Sequence, residues 1–275
     1  MSAAFLGIAR EPVYSPGKVD ADRAILEAVA ARLGDPPRVR VVSADEPLPE
    51  VRSPTLVFVM CQSPAAVATL QGWESAGVRV INSTAAIANT QRHRMLAAFD
   101  RHHVAHPPGT LVRTDAPLLP DWTDAGGVWI KRGDVHATEP DDVVRVDHRA
   151  AALVALAAMR RRGIERALVQ RHAAGDVFKF YAVRRRFFTC FPPTTTTRPL
   201  TPVEHTAMRE LADAGAAALE LEVFGGDCIR GADGRLWLID LNEWPSFARC
   251  RNEAAAAIAD YLMEAAGAGA RSKPA

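Results

Sequence analysis

Over its first eighty residues the chain alternates short apolar runs with longer segments of helical period, and no other feature restricts the fold as strongly. Ala3–Ile8, Val39–Val42, Thr55–Met60 and Val78–Ile81 read as strands, with Asp20–Leu33 and Pro64–Gly77 as helices between them. Short apolar strands separated by helices imply a parallel sheet covered by helices, because parallel neighbours need a crossover connection. The first helix is well delimited: acids occupy its first turn and Gly34 follows its last residue.

Bulk properties exclude several classes. The 275 residues suffice for one large unit or two to three small ones with a real core. Lys and Arg total 33 against 32 Asp and Glu, so no global charge bias points to nucleic acid or an anionic membrane. Cys61, Cys190, Cys228 and Cys250 are scattered without a CxxC pair, which argues against a zinc site or a disulfide framework. The first residues, MSAAFLGIAR, lack the basic-then-apolar pattern of a signal peptide, and no apolar run reaches spanning length. A reducing, cytoplasmic setting is expected.

The pattern changes after Asn82. A helix is expected at Thr90–Phe99, then a loop at His106–Gly109, strands at Thr110–Val112 and Val128–Lys131, and a helix at Arg149–Arg161. From Ala167 the chain is strand-rich and closes with a helix at Asn252–Ala265. The expected organisation is 1–88, an N-terminal α/β domain with a parallel sheet; 89–166, a central lid; 167–266, a C-terminal antiparallel sheet; and 267–275, a disordered tail. The proline-bracketed run Thr194–Thr197 reads as a mobile loop.

The densest chemistry lies in FGGDCIRGADGRLWLIDLNEWPSF, Phe224–Phe247. Two apolar runs flank Asp233–Gly234, a hairpin signal. Alternation puts Asp240 and Asn242 on one face of the second strand, and the hairpin brings Asp227 beside them. Two carboxylates and an amide oxygen suit a magnesium ion that carries nucleotide phosphates. The other reading is a surface hairpin with solvated acids.

Upstream, Trp129–Ile130–Lys131 is a short strand ending in a cation, followed by the loop Arg132–His136. Lys131 can hold a phosphate as a point charge with that loop over the nucleotide; alternatively it is an edge lysine that snorkels. The strand ending Gln170–Arg171–His172 offers polar groups for a base edge, or is an ordinary strand end. Phe178–Val183 alternates around Lys179, and a lysine pointing inward among aromatics is costly without an anion. Arg184–Arg186 reads as a solvated hairpin turn.

In order, the segments GVRVINSTAAIANTQRHRMLAAF, HPPGTLV, VWIKRGDVHA, ALVQRHAAGDVFKFYAV and the hairpin resemble the ATP-grasp superfamily over nearly the whole chain, with RimK- and glutathione-synthetase-like ligases as the main likeness. A shorter resemblance, in the Asp-x-Asn pattern and VFKFYAV, is to inositol polyphosphate 5/6-kinases. The resemblance implies an α/β fold that grips ATP between two sheets. Lys131 would contact the phosphates, Lys179 the phosphates or the acceptor, His136 the nucleotide, and Gln170, Arg171 and His172 the adenine, while Asp227, Asp240 and Asn242 would hold Mg2+, two ions, with Mn2+ as a substitute. The family's lysine in the helix after the first domain is replaced by Arg92 or Arg94, of which Arg94 is the residue assigned. Lys179, Arg249 and Arg251 would act on the acceptor, since arginine grips a carboxylate or phosphate bidentately. The implied activity joins a carboxylate to an amine or similar nucleophile through an acyl phosphate; the alternative is phosphorylation of a hydroxyl. The expected partners are small molecules, not nucleic acid or membrane, with a homodimer as a further option.

Overall fold

The computed structural model describes residues 4–53, 55–134, 139–194 and 198–271. The expected loop at Thr194–Thr197 lies, after Thr194, outside the described residues. Strand β1 (Phe5–Ala9), helix α1 (Val19–Leu33), β2 (Val39–Ser43), β3 (Leu56–Val59), α2 (Pro64–Ser75) and β4 (Arg79–Ile81) follow the expected alternation. They build a parallel sheet in the order β2-β1-β3-β4. Helix α2 starts where Ser63 accepts a hydrogen bond from the Ala66 N–H and Pro64 fills the first position.

One helix was expected from Thr90, but two form: α3 (Thr84–Asn89) and α4 (Arg92–Arg101). The Thr90 hydroxyl donates to the Ile87 carbonyl at 2.7 Å, closing the end of α3 instead of capping the next helix.

The central segment contains β5 (Gly109–Arg113), β6 (Val128–Arg132), β7 (Val143–Val146), α5 (Arg149–Arg161) and β8 (Arg166–Arg171). Its antiparallel order is β5-β8-β6-β7. The sequence-based boundary at 166/167 therefore cuts through a strand. Strand β8 pairs with β5 on one side and β6 on the other, so the central sheet extends to Arg171.

The last sheet has the order β10-β9-β11-β12, from β9 (Asp176–Val183), β10 (Phe187–Phe191), β11 (Val223–Arg230) and β12 (Leu236–Glu243). Between β10 and β11 runs α6 (Pro202–Leu219), a helix not expected from the sequence. Its signal was present: Thr201 accepts from the Glu204 N–H, and Glu204 accepts from the Thr201 N–H, a capping box ahead of a Pro start. The closing helix α7 spans Arg251–Arg271, so the expected disorder from Gly267 is corrected as far as Arg271; an alanine-rich stretch carries the helix past the glycines. Residues 272–275 lie outside the described residues.

Apolar layers fix how these parts sit together. Phe5, Ile25, Leu26 and Phe58 of the first segment share one core with Tyr181, Trp244, Phe247, Ile258 and Leu262. The parallel sheet and the last sheet are thus joined through α1 and α7. The opposite face of the last sheet, with Phe178, Phe180, Phe224, Cys228, Leu238 and Leu241, packs on α4 and α6 through Phe99, Met208 and Leu219. The central sheet has its own core with α5, including Val128, Ile130, Leu156 and Val169.

Gly226 marks the tightest spot in the last sheet. A Cβ there would overlap the Asp240 carbonyl oxygen and press on the Phe180 ring. Gly226→Ala is expected to cost about 1–3 kcal/mol by overpacking. Thr201→Ala should cost about 1 kcal/mol by loss of the cap. Urea unfolding of the two variants checks both; an unchanged midpoint for Gly226→Ala would mean that β11 and β12 separate freely at this point.

Candidate active site

The sheet register assembles the hairpin residues. Asp227 on β11 lies opposite Lys179 on β9 and opposite Asp240 on β12, so three side chains form a row across three strands. The Lys179 ammonium is 2.9 Å from an Asp227 carboxylate oxygen. One row along, Asn242 lies opposite Gly225, itself opposite Tyr181. Cys228 faces the other way into the apolar layer, and burial pushes its thiol up to about 12, so it is no nucleophile at neutral pH.

Plain alternation does not produce this arrangement. Leu238 and Leu241 both enter the core, three residues apart, whereas a regular strand repeats every two. A bulge resolves the conflict. Asp227 pairs with Asp240 while Cys228 pairs with Leu238, so Ile239 is extra, and both Ile239 and Asp240 point into the cleft.

The facing wall comes from the central sheet. Val128 and Ile130 of β6 enter the α5 core, which turns Trp129 and Lys131 to the cleft; Val169 and Gln170 divide in the same way on β8. Lys131 is 7 % exposed and donates to Gln170 Oε1 at 2.8 Å. Gln170 Nε2 in turn donates to the Pro107 carbonyl at 3.3 Å. With a neutral partner, Lys131 bears the cost of burial: desolvation lowers its pKa to about 8, against the pull of Asp240 and Asp227. Lys179 behaves oppositely. Burial works against its charge, but adjacent Asp227 outweighs burial and holds the ammonium above its ordinary range. His172 lines the same cleft and accepts the Trp129 indole N–H at Nδ1, 3.2 Å away. Arg171 reaches over the Trp122 ring.

Helix α4 closes one end of the cleft and corrects the assignment of Arg94. Arg94 is exposed, whereas Arg92 is buried, lines the cleft, lies 3.4 Å from Asp240 Oδ2 and donates to the Arg132 carbonyl at 3.1 Å. The signal was in the helical spacing: Arg92 stands three residues before Met95, four before Leu96 and seven before Phe99, all on the buried face.

These walls enclose about 220 Å3, lined by Arg92, Lys131, Gln170, His172, Asp227 and Asp240 among others. A larger concavity of about 610 Å3 lies elsewhere, among Pro36, Pro37, Val41 and Pro49, and gathers no comparable set of groups. Lys179 sits beside Asp227 at the rim and Asn242 one row along β12, outside the lining of this volume, and two further assigned residues lie farther off. Arg249 is exposed, with its guanidinium over Phe191 of the edge strand, and Arg251 opens α7. His136 lies outside the described residues.

The donor set suits a hard cation. Among the described residues no three His, Cys, Asp or Glu that could hold a metal converge; two carboxylates stand opposite each other, with Asn242 one row along by register. Asp240 Oδ1 is buried and has no hydrogen-bond partner among the described residues, as an oxygen awaiting a ligand would be. Mg2+ is commonly held by one or two carboxylates and completed by phosphates and water.

By sequence the chain matches no family model and no curated protein. Solved structures do resemble it in fold. The RimK-domain ATP-grasp protein of Sphaerobacter thermophilus aligns with a TM-score of 0.68 at 18 % identity, covering 94 % of this chain and 100 % of that one. The D-alanine–D-alanine ligase of Bacillus anthracis complexed with ATP gives 0.71 at 10 % identity, covering 97 % and 99 %. The ATP-grasp ligase PsnB, complexed with a precursor peptide and AMPPNP, gives 0.67 at 16 % identity, covering 97 % and 98 %. With a parallel sheet followed by two antiparallel sheets that face each other across a charged cleft, this chain has the ATP-grasp fold.

Proposed function

We propose that the chain is a Mg-ATP-dependent ligase that activates a small-molecule carboxylate as an acyl phosphate and transfers the acyl group to an amine or similar nucleophile. The observation that carries this reading is one cleft in which buried Lys131 faces the Lys179–Asp227–Asp240 row. Fold neighbours include ligases, one complexed with ATP and one with AMPPNP, which supports the same direction.

On this reading the central sheet and the last sheet hold nucleotide between them. Trp129, Gln170, Arg171 and His172 form the base end, while Lys131 and Arg92 supply positive charge to the phosphates. Asp227, Asp240 and Asn242 would hold Mg2+, two ions, which neutralises phosphate charge when bound. A carboxylate oxygen of the acceptor attacks the γ-phosphorus, the bond to the bridging oxygen breaks, and ADP leaves. The amine then attacks the acyl carbon, phosphate departs, and the amine proton passes to water. Lys179, on the rim at 46 % side-chain exposure, can steady the transferring phosphoryl group. Arg249 and Arg251 lie past the metal end of β12, where they would meet the acceptor. The three segments would serve as N-terminal, lid and C-terminal parts, with the lid reaching Arg171.

The kinase alternative needs a dense basic pocket for a polyphosphorylated acceptor. Instead, Arg186 pairs with Glu264, Arg185 sits in the β9–β10 turn at φ 59°, and Arg249 stacks on Phe191. That dispersion favours the ligase.

Mg-ATP at a hundred times its Kd should stabilise the protein by about 2.7 kcal/mol, seen as a raised Tm. Asp240→Ala and Lys131→Ala should each remove most of that rise; a full rise in both variants would overturn the site. Because Lys131 in the free protein titrates near pH 8 and phosphate needs its charged form, nucleotide affinity should fall above that pH. The apparent Kd should rise by up to about tenfold per pH unit there, a dependence absent in Lys131→Met, as titration calorimetry between pH 7 and 9.5 would show. Incubation of candidate carboxylates with Mg-ATP and hydroxylamine should release ADP and trap a hydroxamate. A stable phosphoester in its place would favour the kinase.

A further inference from the structure

We propose that Arg10, at the end of β1 and far from the cleft in sequence, is a positioning residue for the metal-binding end of β12. The inference rests on reading Asp240 and Asn242 as magnesium ligands.

One guanidinium reaches five groups. Arg10 Nε donates to the Met60 carbonyl at 3.0 Å, and Nη1 to Asp22 at 3.2 Å. Nη2 donates to the main-chain carbonyls of Trp244 at 3.1 Å and Glu243 at 3.3 Å, and lies 3.6 Å from the Glu243 carboxylate. These are the two residues that follow Asn242.

The gripped segment is unusual in two ways. Trp244 is fully buried with φ 36°, in the left-handed region. A bulky residue there is strained and persists only where its surroundings hold it. Here the holders are Arg10, the Val223 carbonyl that accepts from the Trp244 N–H at 3.0 Å, and Phe58, which stacks on the indole. Glu243, 1 % exposed, also accepts from the Thr90 hydroxyl at 3.1 Å and from the Gln62 amide. The parallel sheet and the α3–α4 junction thereby brace the main chain at the point where the candidate ligands end.

Lysine cannot reproduce this. Its three donors radiate from one nitrogen, whereas the guanidinium fork spans separate acceptors in a plane. Loss of the fork would let the Glu243–Trp244 turn relax and carry Asn242 with it. Removal of a supporting residue behind a metal ligand typically costs 10–100-fold in metal affinity.

Arg10→Lys and Arg10→Met test this by titrating Mg2+ at fixed ATP and reading the rise in Tm. The Mg2+ midpoint should move up by about tenfold in Arg10→Lys and further in Arg10→Met, while the small shift from ATP with EDTA stays as in wild type. A residue that merely supports the fold would lower every Tm equally and leave the midpoint in place; that result overturns the proposal. If Arg10→Met does not fold, Arg10→Lys decides alone. A wild-type protein with no Mg2+-dependent rise would instead remove the reading of Asp240 and Asn242 as ligands, and this inference with it.

Discussion

Asp227 and Asp240 stand directly opposite each other on neighbouring strands, where like charges repel, and much of the surrounding structure answers that repulsion. Lys179 meets one carboxylate from β9 and Arg92 meets the other from α4. Lys131 comes in from the opposite wall, close enough for both acids to pull on its titration. Two acids and three cations thus share one cleft and its rim, with an excess of positive charge when all are ionised. A polyphosphate accompanied by a divalent cation matches both halves of that arrangement.

The apolar layers divide the molecule unequally. The first and last sheets share a core, so the end of β12 and the Arg10 cluster are parts of one packed block. The central sheet has a separate apolar core, against α5. Its ties to the block include polar ones, such as Arg92 to the Arg132 carbonyl and the His93 N–H to the Gly133 carbonyl. Interfaces of this polar kind resist displacement less than apolar cores do. The cleft therefore lies along the softer seam, with Lys131 on one side and the carboxylates on the other.

Much of this was written locally in the chain. Strand–helix alternation announced the parallel sheet, and the Asp233–Gly234 turn announced the hairpin with its two acids. What escaped depended on partners distant in sequence or on departures from ideal periods. The boundary within β8 escaped because a strand's sheet is decided by its neighbours, not by its composition. Arg92 was distinguishable from Arg94 by helical phase, and α6 by its capping box, so those two signals were present but unread. The Arg10 clamp had no local signal, since its acceptors on Glu243 and Trp244 lie more than 230 residues away.

The bulge at Ile239 separates the two ends of the hairpin mechanically. The turn Ala232–Arg235 can change length as the solvent-exposed tip of a ribbon without disturbing the charged row. Everything from Ile239 to Asn242 is locked in phase. Without the bulge, the same strand would pleat regularly from Leu238 and turn the Asp240 carboxylate into the layer formed by Phe178, Phe180 and Leu238. Across related sequences, insertions and deletions should therefore crowd into the tip and stop short of the bulge, so that alignment gaps alone would trace the border between tether and machinery.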